Sequence, residues 1–111
     1  MAAAGTAWAA PDASRVALVI GNSAYAQSPL VNPGNDAAAS RDLFTAAGFS
    51  VQTLLDARRD EMLAAIERFG EQVQRPETRL AVFYYAGHGV QQDWRNYLLP
   101  VDAAVQAPDD I

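Results

Sequence analysis

A single histidine, His88, is the residue of this chain best suited to proton transfer. It directly follows the apolar run Leu80 to Ala86 and stands between Gly87 and Gly89. An imidazole ordinarily titrates near ~6.5, so it can take up or release a proton at neutral pH. Glycine permits backbone shapes and close approaches that other residues resist. The spacing alone leaves two interpretations open: a histidine that faces a cleft beside backbone N–H groups, or a turn histidine without a role.

Other chemistries lack the residues that they need. The 111 residues include no cysteine, which excludes disulfides, thiolate metal sites and a thiol nucleophile within the chain. One histidine cannot form a zinc site of the ordinary type, and a Walker phosphate loop needs a lysine where this chain has only arginines. Ser23 and Ser28 lack the strand-to-helix elbow that exposes a nucleophilic serine. We therefore interpret both as ordinary loop serines.

The elements that position His88 follow from the apolar pattern. Short runs rich in β-branched and aromatic residues indicate strands, and spacings of three and four residues indicate helices. The order strand, helix, strand, helix, strand is typical of α/β layers with parallel strands and right-handed crossovers. The predicted elements are strands over 16–20, 49–55 and 80–86, a helix that starts with Asn35 or Asp36 as its cap and stops at Gly48, a helix from Asp60 to Val73, and a short strand over 97–99.

Two further expectations concern faces and edges. In such sheets the working loops lie beyond the carboxyl ends of the strands, so the loop from Gly21 to Asn35 and His88 should share one edge. Each helix should bury one apolar stripe against the sheet. The predicted stripes are Ala39, Leu43, Phe44 and Ala47 in the first helix, and Met62, Ile66, Phe69 and Val73 in the second.

Several short motifs occur in a fixed order between about Arg15 and Ile111. They are Arg15-Val16-Ala17-Leu18-Val19-Ile20-Gly21-Asn22 with Tyr25, Pro29-Leu30, Asn32-Pro33-Gly34-Asn35-Asp36-Ala37, Gly48-Phe49, the helix around Met62, Tyr84-Tyr85-Ala86-Gly87-His88-Gly89, and Asn96-Tyr97-Leu98-Leu99-Pro100-Val101-Asp102. Together they resemble the caspase-like cysteine peptidases, which comprise caspases, metacaspases, paracaspases and bacterial relatives. The resemblance implies a three-layer α/β sandwich with a parallel sheet.

The resemblance also implies a Cys–His dyad. The family's histidine falls on His88, and the backbone N–H of Gly89 matches one donor of the oxyanion hole. The family's cysteine follows its histidine by ~50 residues. We therefore expect the chain to stop before the cysteine-bearing strand, to lack the C-terminal part of its own domain, and to be inactive alone. The alternative is a non-catalytic module that keeps the caspase-like shape and binds a protein partner.

Asp36 has two interpretations. Its side chain could cap the first helix. The resemblance adds a second role, because the matching acidic residue of metacaspases and paracaspases lines the pocket for a basic P1 side chain. Caspases instead use an arginine from this loop, and the loop 21–35 has none. The stretch Pro33-Gly34-Asn35-Asp36 also lacks the cysteine of the metacaspase pattern. The resemblance thus implies an endopeptidase that cuts after Arg or Lys.

Composition sets the remaining expectations. The formal charge is −5 without a basic stripe, which argues against nucleic acid and anionic membranes, so the expected partner is a peptide or protein substrate. Residues 1–14 are expected to be a disordered tail, left after export by a removed signal peptide in one interpretation, and 15–111 the catalytic-domain part. Asp109-Asp110 resembles a calcium-binding stretch of some metacaspases. Two adjacent carboxylates cannot fill ~6–8 oxygen positions, so we expect no metal or other cofactor.

Overall fold

Strands and helices alternate along the chain in the computed structural model, which describes residues 12–104. The two helices fall between the first three strands, and a short hairpin follows. The elements are β1 (Asp12–Gly21), α1 (Pro33–Ala46), β2 (Phe49–Leu55), α2 (Arg59–Val73), β3 (Leu80–Ala86), β4 (Gly89–Gln92) and β5 (Arg95–Leu98).

The first three strands form one parallel sheet in the order β2-β1-β3. β1 is central because Val16 to Ile20 can be buried on both faces, and none of these residues is more than 4% exposed. In register, Ile20 lies between Leu54 and Tyr85. The predicted α/β class with a parallel sheet is confirmed.

The helices cover opposite faces of the sheet. Leu18 and Ile20 pack with Met62 and Ala65 of α2, whereas the alternate position Gly21 approaches Ala37 of α1. A Cβ on Gly21 would come within 2.6 Å of the Ala37 Cβ, so only glycine lets α1 approach β1 this closely. The result is three layers, with the carboxyl ends of the strands left open for loops.

The predicted start and face of α1 are wrong in part. The helix begins at Pro33, whose fixed φ suits a first turn, and Asn32 rather than Asn35 or Asp36 is the N-cap residue, without a side-chain cap bond. Pro33 and Ala37 are buried, while Leu43 is 68% exposed. Of the predicted stripe only Phe44 is partly buried, since Ala39 and Ala47 are also exposed. The predicted stop is confirmed by Gly48, whose φ is 87°.

The stripe of α2 also differs from the prediction. Met62 and Phe69 face the core as expected, but Ala65 is the buried residue between them. Ile66 and Val73 lie on the flank and are each 41% exposed. The helix therefore contacts the sheet through a small alanine rather than through a continuous row of large side chains.

A two-stranded antiparallel hairpin, β4–β5, extends the short strand that was predicted at 97–99. Its two turn residues, Asp93 and Trp94, have φ of 52° and 66°. Two positive φ values are what a tight type I′ hairpin turn requires. Trp94 adopts this strained conformation while its side chain is 94% exposed.

The amino-terminal boundary lies earlier than the sequence suggests. The residues 12–14, which were assigned to the tail, belong to β1, because the Asp12 N–H donates to the Gly48 carbonyl at 2.8 Å. Residues 1–11 and Asp109-Asp110 lie outside the described residues, so the tail and calcium interpretations stay predictions. Within residues 12–104, no helix is long and apolar enough to cross a bilayer.

The free edge of β3 generates the first prediction. Within the described residues β3 pairs only with β1, and Leu80 and Phe83 are 50% and 43% exposed. Unpaired apolar edges promote self-association. We expect this chain to self-associate in sedimentation velocity at rising concentration, and Leu80→Lys to weaken the association severalfold. The control Leu43→Lys makes the same charge change on the exposed face of α1, and an equal effect there would contradict the edge assignment.

The hairpin turn generates the second prediction. Trp94→Gly should raise the free energy of unfolding by about 1 kcal/mol, because glycine adopts positive φ without a Cβ penalty and little packing is lost. Denaturant titration of the purified variants measures this change. Trp94→Ala keeps the Cβ and should show no such gain; equal gains would mean that loss of the indole ring, not backbone strain, is responsible.

Candidate functional site

A cleft of about 340 Å³ opens beyond the carboxyl ends of β1 and β3. It lies where a parallel sheet normally holds its working residues. Two loops and the turn after β3 form its walls. The lining residues are 25–28, His88, Gly89, Leu99 and 102–104.

The His88 side chain is held by a carbonyl group and an aromatic ring. Nε2 lies 2.8 Å from the Ser28 carbonyl oxygen, and the imidazole centroid is 4.5 Å from that of Tyr25, with the rings tilted by 55°. A carbonyl oxygen can only accept, so Nε2 must carry hydrogen in the neutral ring as in the protonated one. Nδ1 is therefore the nitrogen left to exchange a proton.

The His88 backbone is also anchored at both polar groups. Its N–H donates to the Tyr25 hydroxyl at 2.9 Å. Its carbonyl accepts the Leu99 N–H at 3.0 Å and lies 2.8 Å from the Tyr85 hydroxyl. These bonds fix the turn between β3 and β4, so the imidazole position depends on residues distant in sequence.

The two tyrosine hydroxyls share a limited supply of protons. They lie 3.0 Å apart, and they are 2.7 Å (Tyr25) and 2.9 Å (Tyr85) from the Leu99 carbonyl oxygen. Each hydroxyl has one hydrogen, so only two of these contacts and the Tyr85–His88 contact can be donated at once. Burial, followed by the hydrogen bond with Tyr25, raises the pKa of Tyr85 well above its ordinary value of 10.0, which keeps that phenol protonated and donating.

Gly87 gives these hydroxyls the space that they occupy. A Cβ at this position would lie 2.6 Å from the Tyr85 hydroxyl and 2.7 Å from that of Tyr25. Neither Gly87 nor Gly89 has positive φ, so the expected freedom of backbone shape is not what requires glycine here. The expected close approach is, at Gly87.

Two polar residues after β1 and β2 shape the neighbouring loop. Asn22, fully buried, accepts the Ala57 N–H at 2.8 Å and donates through Nδ2 to the Leu99 carbonyl at 3.2 Å. Asp56, with φ of 55°, accepts the N–H groups of Ser23 and Ala24 through one oxygen, both at 2.9 Å. These bonds bend the chain after β1 toward Tyr25 and the cleft.

Asp102 closes the opposite wall of the cleft. Its Oδ1 accepts the Arg59 N–H at 3.0 Å at the start of α2, and the neighbouring Val101 N–H donates to the Ala57 carbonyl at 2.9 Å. A carboxylate at a helix N-terminus satisfies a free N–H group and interacts favourably with the helix dipole. The segment after β5 is thus joined to α2.

The structure places the predicted site residues in two locations. His88 and Gly89 both line the cleft, and Gly89 begins β4 opposite Leu98. Asp36 lies exposed in the first turn of α1, is not among the residues that line the cleft, and is not a cap. The catalytic and substrate-binding roles of these residues stay predictions.

The loop serines have structural contacts. The Ser23 hydroxyl accepts the Gly34 N–H at 3.0 Å, which ties the loop to α1. Ser28 contacts His88 through its backbone carbonyl rather than through its hydroxyl. These contacts agree with their interpretation as loop residues.

Sequence reasoning missed most of the groups that orient His88. Tyr25, Asn22, Tyr85 and Asp102 lie within the quoted motifs, yet they were given no role there. Their signal was polar atoms placed directly beside buried strands, since buried polar groups need partners. The contributions of the Ser28 and Leu99 carbonyls have no sequence signal, because every residue has a carbonyl group.

Three α/β layers with one histidine in a cleft at the carboxyl edge of a parallel sheet define the class of the domain. A family model for the caspase domain of peptidase C14 matches residues 14–110. The chain belongs to this caspase-domain family of cysteine peptidases.

Two curated relatives are similar to the chain over most of its length. They are mucosa-associated lymphoid tissue lymphoma translocation protein 1 of Homo sapiens and its homolog of Mus musculus. Each is 36% identical over 90 residues, which is 80% of this chain. The chain spans only 11% of the length of these relatives.

The buried amide of Asn22 generates the third prediction. Asn22→Ala should lower the free energy of unfolding by about 2–3 kcal/mol, because it removes two hydrogen bonds and leaves the Ala57 N–H without its acceptor. Chemical denaturation followed by circular dichroism measures the loss. Asn32→Ala removes an exposed amide that makes no cap bond and should stay within about 0.5 kcal/mol of the parent. Similar losses in both variants would contradict this account.

Proposed function

We propose that this chain is the histidine-bearing part of a cysteine endopeptidase domain, in which His88 works with a cysteine outside these 111 residues. The contact that carries the proposal is His88 Nε2 with the Ser28 carbonyl. It assigns hydrogen to Nε2 and leaves Nδ1 as the proton-exchanging atom. A histidine without catalytic work needs no such fixed orientation at the wall of a cleft.

The chemistry follows from these two nitrogens. Nδ1 takes the proton of the thiol, and the resulting imidazolium stabilises the thiolate. After the thiolate attacks the peptide carbonyl, the same nitrogen returns the proton to the leaving amine. The Nε2–H bond to Ser28 keeps the ring oriented during both transfers. The backbone N–H of Gly89, next to His88 in the cleft wall, is the proposed donor to the developing oxyanion.

Asp36 is the proposed determinant of a basic P1 side chain. α1 begins at Pro33, five residues after the carbonyl that holds His88, so the carboxylate belongs to the same loop-to-helix region. The exposed Asp36 carboxylate forms no ion pair in the described part of the chain, and an incoming arginine could bind it in bidentate fashion. Substrate binding would desolvate that pair and make it selective.

The fourth prediction tests dyad and specificity together. A longer chain that extends past Ile111 to the downstream cysteine should cleave peptides with Arg or Lys at P1, and the 111-residue chain alone should not. His88→Ala should abolish turnover. Asp36→Asn should lower kcat/KM for Arg and Lys substrates by about 30-fold or more, because it removes a charge that the bound substrate buries.

Asp42→Asn is the matched control, since Asp42 is an exposed carboxylate on the same helix, in a surface pair with Arg41 at 3.0 Å. It should leave both rates unchanged. Equal effects of the two asparagine variants would reject Asp36 as the specificity residue. A longer chain that has no downstream cysteine, yet binds a protein partner, would instead support the non-catalytic module.

A further inference from the structure

We propose that Tyr25 is a positioning residue for His88, acting through its hydroxyl on the backbone and through its ring on the imidazole. The inference rests on the proposed function of His88, which it deepens. Tyr25 lies in the loop after β1, 63 positions from His88, and is 6% exposed. Both parts of its side chain contact the same residue.

The hydroxyl of Tyr25 makes more contacts than packing alone would need. It lies 2.9 Å from the His88 nitrogen, 2.7 Å from the Leu99 oxygen and 3.0 Å from the Tyr85 hydroxyl. A phenylalanine would fill nearly the same volume without any of these bonds. The hydroxyl therefore links the loop after β1 with the turn after β3 and the segment after β5.

Nothing nearby can replace Tyr25 as the acceptor for the His88 N–H. The Tyr85 hydroxyl is engaged with the His88 carbonyl at 2.8 Å, and its one hydrogen is already shared among neighbouring oxygens. Loss of the Tyr25 hydroxyl thus leaves a partly buried N–H unpaired, which favours movement of the turn. The imidazole moves with its backbone, so the Nε2 contact with Ser28 weakens as well.

The geometry separates the two tyrosines by function. Tyr25 accepts from the His88 N–H, whereas Tyr85 donates toward carbonyl oxygens. Tyr85→Phe should therefore leave the His88 N–H bonded. Tyr84 is the matched control, because it neighbours Tyr85 in β3, points to the opposite face of the sheet and has no part in these contacts.

The fifth prediction uses the fact that His88 is the only histidine of the chain. In the 111-residue chain, amide hydrogen exchange of His88 should quicken severalfold in Tyr25→Phe and stay unchanged in Tyr85→Phe and Tyr84→Phe. The Leu18 amide, in the centre of the sheet, reports global unfolding and corrects for any loss of stability. The single imidazole ¹⁵N spectrum of the neutral ring should show the Nε2–H form in the parent and a mixture of tautomers in Tyr25→Phe.

In the longer, active chain Tyr25→Phe should lower kcat at least tenfold with KM little changed, since substrate contacts remain while the base is misplaced. Unchanged exchange and unchanged tautomer in Tyr25→Phe would overturn the proposal. Should that variant not fold, Tyr85→Phe decides, because loss of His88 protection there would reject Tyr25 as the acceptor. The spectroscopic result stands even if the longer chain cleaves nothing, so failure of the positioning role and failure of the proposed function are distinguishable.

Discussion

One backbone oxygen, the carbonyl of Leu99, holds the cleft together. It receives the hydroxyl of Tyr25 at 2.7 Å, that of Tyr85 at 2.9 Å and the amide of Asn22 at 3.2 Å. Its three partners come from the end of β1, the following loop and β3, and the oxygen itself follows the β4–β5 hairpin. A partly buried carbonyl must find donors, and here the requirement brings the sheet, the loop and the hairpin exit to one point.

That convergence restricts the side chains around it. The tyrosine hydroxyls fill the space where a Cβ at position 87 would lie, so glycine is needed there for room rather than for its backbone freedom. On the other face, Gly21 lets α1 pack closely against the end of β1. Both glycines bring polar loop residues near the ends of the strands. The cleft is therefore shaped by close approach, and its polar groups pair with one another before any substrate enters.

The sequence predicted the sheet better than the helix faces, for a physical reason. β2 and β3 were placed to the residue, because a strand buried on both faces needs a continuous apolar run. Helix stripes were misassigned where small residues made the contacts: Ala37 and Ala65 are buried, and the larger Leu43 and Ile66 are not. Local pattern also cannot show which hydroxyl meets which carbonyl. The family motifs pointed to His88, but its partners became visible only through long-range contacts.

The histidine half of the proposed dyad is built entirely within the described residues. Every contact that orients His88 comes from Tyr25, Ser28, Tyr85 and Leu99, and all four are fixed by the sheet and its loops. A thiol supplied from outside these residues would meet an imidazole whose free nitrogen is already defined. Such preorganisation lowers the cost of reaching the reactive geometry, because the base needs no reorientation when substrate binds. The unpaired edge of β3, directly before His88, is the natural place for a strand that brings the nucleophile within reach of Nδ1.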